Sequence, residues 1–134
     1  MTPEQALQVK ALRVHSNRSE IFNYVIDHLR RQGRPSLSFT RADCRYRGVE
    51  GAMCAIGALF TDDEYSPTWE GNGIDQLLKF QRLPPDIHEC LSQHDQMLLE
   101  LQAFHDEWLV YKDGAFNKRS EDRVASLRNK WCIQ

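Results

Sequence analysis

The sequence predicts a mainly α fold: a compact helical domain of about five or six helices, with one short β element near residues 44–47. Three observations carry this. Apolar residues recur at helical spacing over Ile21, Phe22, Val25, Ile26 and Leu29, and Cys90, His94, Met97, Leu101, His105 and Trp108 fall on one helix face. Capping pairs and Gly or Pro stops bracket these stretches. Strand-like alternation is confined to "CRYR", residues 44–47. The 134 residues argue for a single globular domain, 1–134, long enough to bury a core without staples.

Residues 3–13 are the first candidate helix, with Pro3 tolerated in its first turn. Its apolar residues, Ala6, Leu7, Val9 and Leu12, define no clean face. "NRSEIFNYVIDHLRRQG" is clearer. Asn17 and Glu20 have capping-box spacing, the apolar stripe follows, and Gly33 and Pro35 stop it. Residues 34–43 read as a loop. In 44–47, Cys44 and Tyr46 share one side, and Arg45 and Arg47 are expected to face outward on the other.

Gly48 to Gly51 turns the chain. Residues 52–60 read best as a small buried helix, thinned by Ala52, Ala55, Gly57 and Ala58 so that another element can approach; a short strand is the alternative. Thr61 and Glu64 repeat the capping-box spacing, and Ser66-Pro67 starts another short helix. "IDQLLKF" adds one or two turns before Pro84-Pro85. Residues 86–112 are strongly helical, and Ser92 and Asp95 allow two helices to meet near Ser92. After Asp113-Gly114, Ser120 can cap a last helix with Val124, Leu127 and Trp131 inward.

Composition narrows the function classes. Hydrophobic residues make up 41% and charged residues 27%, an ordinary balance for a water-soluble domain. A formal net charge of −2 argues against general affinity for nucleic acid or anionic membrane. No apolar run approaches the ~18 residues of a membrane span, and "MTPEQALQVKALRVHS" lacks the pattern of a signal peptide. The four cysteines are therefore expected as reduced thiols in a cytoplasm. No CxxC pair is present to make a zinc ribbon or a thioredoxin-like motif.

Candidate chemistry remains in three places. Cys90 and His94 are four apart, a spacing that lets both reach one metal ion, though a buried thiol in a core is the plainer reading. His105 lies eleven residues beyond His94, about 16 Å along a straight helix, too far to share that ion. Cys54 could act as a nucleophile with His105 as base and Asp106 or Glu70 behind it. Adjacent residues diverge by about 100° on a helix, however, which makes a triad using both awkward. Arg30, Arg31, Arg34, Arg41, Arg45 and Arg47 fall within 18 residues, and the acidic residues Asp62, Asp63, Glu64, Glu70 and Asp75 follow. Pairing of the two runs is the plain reading; an arginine patch that holds a phosphate or an acidic protein surface is the sharper one.

Taken together, "CRYRGVEGAMCAIGALFTDDEY", the "EG" that follows, and "LLELQAFHD" resemble a group of small uncharacterised proteins of tailed phages and bacterial prophages. Those carry a C-x-Y-R segment, a glycine turn, a C-A-I/V-G-x-L segment and a helix with L-Q-x-x-H-D. The match covers about residues 20–107. It implies Cys44, Tyr46, Arg47, Gly51, Cys54, Gly57, Tyr65, Glu70, His105 and Asp106 as the shared positions. It also suggests that they interlock, with Arg47 on Glu70 or Asp106 and His105 beneath the 52–60 segment.

Size, the absence of a catalytic motif and this resemblance imply a phage- or prophage-type accessory protein in the cytoplasm of a bacterial host. It would bind a host protein, for instance to inhibit a defence or regulatory system, without catalysis, cofactor or metal. The expected contact surface is Arg45, Arg47, Tyr65 and Trp69, beside Asp62, Asp63 and Glu64. The alternative is a protein that binds a nucleotide-like anion, or a thiol-dependent enzyme using Cys54, His105 and Asp106. Nucleic-acid binding through Arg30, Arg31, Arg34 and Arg41 ranks third.

Overall fold

Thr2, Asn17 and Asn117 each accept a backbone N–H from the residue three positions on, and each opens a helix. The structure is a computed structural model that describes residues 1–41, 43–107 and 116–134. Six α-helices account for most of it: α1 (Pro3–His15), α2 (Arg18–Gln32), α3 (Ile74–Phe80), α4 (Pro85–Gln93), α5 (Asp95–Glu107) and α6 (Lys118–Lys130). Short 3-10 turns lie at Val49–Gly51, Gly57–Leu59 and Pro67–Trp69. The mainly α class is as the sequence predicts. No helix among the described residues is long and apolar enough to cross a membrane.

Helix α2 is the centre of the packing. Its stripe of Ile21, Phe22, Val25, Ile26 and Leu29 is fully buried, and Gly33 ends it in the left-handed region at φ 64°. It packs against α1, α5 and the Gly57–Leu59 turn, while α4 touches α1, α3 and α5. Helix α6 adds Val124 and Leu127 to the core. Arg30 to Glu121 and Arg128 to Asn23 tie it to α2. The long helical stretch breaks at His94, whose φ −117° and ψ 20° are not helical, so two helices do meet close to Ser92. Residues 108–112 of that stretch, Trp108 among them, lie outside the described residues.

Three local expectations change. The 44–47 element is no strand: it makes only isolated antiparallel bridges, Leu37 with Cys44 and Arg47 with Met53. Residues 52–60 form no α-helix. Arg47 binds the Gly57 and Phe60 carbonyls, so tertiary bonds take acceptors that a helix would have used. Thr61 and Glu64 exchange their reciprocal capping bonds, 2.8 and 3.3 Å, yet close only a turn. Glu64 is held there by a partner the sequence did not suggest. The buried Arg13 guanidinium spans Glu64 (2.7 and 2.8 Å), Asp86 (2.6 Å) and the Leu59 carbonyl (3.0 Å), joining α1, this turn and α4.

Candidate functional site

The motif residues do converge, but through different atoms than expected. Glu70 follows the Pro67–Trp69 turn and points its carboxylate at the 44–47 segment. There it accepts the backbone N–H groups of Tyr46 (2.9 Å) and Arg47 (3.1 Å) and the Tyr65 hydroxyl (2.7 Å). The Tyr46 hydroxyl donates to the Asn72 carbonyl, which pins the 70–73 loop to the same segment. Glu70 thus holds the Arg47 main chain, not its guanidinium.

That guanidinium turns inward. It donates to the carbonyls of Gly57 (2.6 Å) and Phe60 (2.8 Å) and to Asp62 (2.9 Å), and lies 4.9 Å over the Phe60 ring. The expectation that Arg47 faces outward is therefore corrected. These bonds and the ring outweigh the two-residue alternation, because no sheet among the described residues enforces it. Trp69 is also buried, edge-on to Phe60 at 5.0 Å, and Glu64 is committed to Arg13. Of the expected contact surface, Arg45, Asp62 and Asp63 keep exposed side chains, and Tyr65 is half-buried.

Half of the arginine run is consumed as well. Arg30 pairs with Glu121 and Asp27, and Arg34 grips the carbonyls of Val49 and Glu50 across the turn where Glu50 has φ 57°. Arg31 and Arg41 remain exposed. A phosphate-binding patch would need more of these groups free at once.

His105 and Asp106 meet Cys44, not Cys54. The buried His105 ring accepts the Ser36 N–H at Nε2 (2.9 Å), so its proton sits on Nδ1 and is donated to Asp106 Oδ1 (2.6 Å). Gln102 Nε2 donates to the same oxygen (2.8 Å), and the Cys44 sulfur lies within 4.8 Å of this carboxylate. Ser36 closes the knot by donating to the Arg45 carbonyl (2.6 Å). Adjacency on a helix does not separate His105 from Asp106 here, because Asp106 reaches back alongside the ring.

This arrangement does not activate a thiol. Burial, then the Asp106 charge, pushes Cys44 up to about 12. Burial pushes Cys54 up to about 12 and Cys90 up to about 11. Cys54 accepts the Gly57 N–H instead of meeting a base. We expect the exposed Cys132 to react first with a disulfide reagent at pH 8 and Cys44 slowly, with Cys54 and Cys90 reacting only on unfolding. Mass mapping of the labelled positions checks this; rapid labelling of Cys54 in the folded protein would contradict it.

The same knot fits a metal poorly. Ligand atoms of Cys44, His105 and Asp106 lie within 4.8 Å of one another. Ligation through Nδ1 would require the imidazole to lose its remaining proton while Nε2 still takes the Ser36 N–H. Cys90 and His94 gather no third ligand among the described residues. Cys90 sits in the core, and burial lowers the His94 pKa.

A polar cleft of about 240 Å³ opens beside this knot. Arg45, Glu70, Asn72, Gln102 and Asp106 line it, with Ile56, Ile74 and Leu99 as its apolar side. The sequence reading missed Ser36, Gln102 and Asn72. Gln102 lies inside the "LQAFHD" motif and was the one legible there, because it is one helical turn before Asp106 and on the same face. Compared with known protein families, curated proteins and solved structures, the chain has no significant match.

Proposed function

We propose that this chain is a non-catalytic binding protein of phage or prophage type, which occupies a surface of a host macromolecule and inhibits a host defence or regulatory protein. One observation carries the binding role: large apolar side chains stand in solvent on one side of α1. Leu7 is 70% exposed and Val14 60%, and seven residues apart they lie on the same helix face, about two turns along. The groove beside Leu7, about 460 Å³, is lined by Pro3, Ala6, Leu7 and Lys10 and rimmed by the exposed Asp63 and by Asp62, which Arg47 and the N-terminal ammonium already pair. An apolar protein segment of mixed charge suits it. The resemblance to phage proteins supplies the host as the source of that segment. The engaged His105 ring and the protonated thiols favour binding over catalysis.

The test is capture from bacterial lysate with the native chain and with a Leu7→Glu, Val14→Gln variant whose circular dichroism matches it. We expect one host protein at fixed stoichiometry, retained at least tenfold less by the variant. Equal capture by both chains, or retention of nucleotide alone, overturns the reading.

A further inference from the structure

We propose that the cleft beside Cys44 and Asp106 is a binding site for a small zwitterion of amino-acid size. This inference concerns a different face from the α1 groove and does not rest on the binding role proposed for it.

The argument begins with Asp106. Its carboxylate is 37% exposed in the cleft wall, and it is held by two neutral donors, the His105 Nδ1–H and the Gln102 amide. No lysine or arginine among the described residues lies within ion-pair distance of it. Its negative charge is positioned but not neutralised, which suits an ammonium group.

Arg45 presents the opposite case. Its side chain is 40% exposed, and its one ion-pair partner among the described residues is Glu70, 3.8 Å from Nε. Glu70 also takes two backbone N–H groups and the Tyr65 hydroxyl, and the Arg45 guanidinium donates no side-chain hydrogen bond among the described residues. The outer nitrogens of Arg45 therefore keep donors for a carboxylate. Beside the two charges, the part-exposed Leu99 offers an apolar contact for an aliphatic side chain, backed by the buried Ile56 and Ile74. Gly71 and Gly73 leave the mouth open, since a Cβ at either would meet nothing within 4 Å. At about 240 Å³ the cleft falls below the roughly 300–1,000 Å³ of sites for drug-sized ligands, which favours a single amino acid over a nucleotide.

The test is a titration of the native protein with the free L-amino acids up to about 10 mM, the weak end of specific binding, followed by amide NMR. We expect at least one to shift resonances of residues 44–46, 70–74 and 102–106. Its N-acetyl and its amide derivatives, each lacking one charge, should bind at least tenfold more weakly. Asp106→Asn keeps an oxygen for His105 and Gln102 while removing the charge. It should weaken the amino acid tenfold but leave the N-acetyl derivative unchanged. Arg45→Gln should weaken the amino acid and leave the amide derivative unchanged. No shift with any amino acid, or binding of either derivative as tight as that of the amino acid itself, overturns the proposal.

Discussion

Replacing Arg13 with methionine should lower the stability of the native state by about 3 kcal/mol, or about 10–15 °C in the thermal midpoint for a domain of this size. The Arg13 side chain is 1% exposed and forms a fork: Nη1 and Nη2 take both oxygens of Glu64, while Nε and Nη2 take Asp86. Methionine fills the volume but leaves two carboxylates facing each other without a cation. The effect sits at the low end of the ~3–5 kcal/mol typical of a broken buried pair, because Asp86 is 35% exposed and keeps some water. Lysine at this position should recover less than half of the loss, since one ammonium cannot reproduce the fork.

The pH dependence gives an independent check. Burial pushes the Glu64 carboxyl upward, but the bonds from Arg13 and from the Thr61 N–H outweigh it and hold the group below its ordinary value. A depressed folded value means that this stabilisation is fully present above about pH 4.3, the unfolded value, and is lost as pH falls through the folded one. The gap between native and Arg13→Met proteins should therefore narrow in acid. Denaturant unfolding at pH 7 and pH 3 measures it. A variant within about 1 kcal/mol of the native protein at pH 7 would remove Arg13 as the tie between α1 and α4.

The second large effect is expected at Gly57→Ala. A Cβ there would press on the backbone carbonyl oxygen of Tyr46, with the Tyr46 carbonyl carbon at 3.0 Å and its Cα at 3.1 Å. These are main-chain atoms, so no side-chain rotation relieves the contact. The 44–47 segment would have to move, and it is fixed from its other side by the Glu70 carboxylate. We expect a loss of about 2–3 kcal/mol, the upper part of the range for overpacking. Faster labelling of Cys54, whose sulfur accepts the Gly57 N–H, should accompany it. A loss below about 1 kcal/mol would mean that the segment slides freely and that Glu70 does not anchor it.

These two positions show where reading the sequence succeeds and where it stops. The small residues of 52–60 were legible as a surface built for close approach, and Gly57 does receive the Tyr46 main chain. That the approaching element is the preceding segment, and that it prevents a helix, was not legible. Arg13 carried a faint signal, lying one turn after the buried Val9 on the same face. Its partners are 51 and 73 residues away, beyond any local pattern. The candidate site divides in the same way. Arg45, Glu70 and Asp106 stood out by residue type. Which of them were already satisfied depended on donors such as the Ser36 N–H and the Tyr46 N–H, which every sequence contains and no sequence distinguishes.

The sequence by itself determined the helical class, the buried stripe of α2 and the main helix boundaries near Asn17, Gly33 and Ser92, because periodicity and capping act within one or two turns of chain. Only the tertiary structure decided which charges face solvent. Arg47 and Arg45 are two residues apart and chemically identical, yet one is folded onto Phe60 and two carbonyls while the other is left with donors to spare. The difference comes from what each meets across the fold. Buried carbonyls near Arg47 needed a donor, whereas the Glu70 carboxylate beside Arg45 shares its bonds with the backbone and leaves that guanidinium partly in solvent.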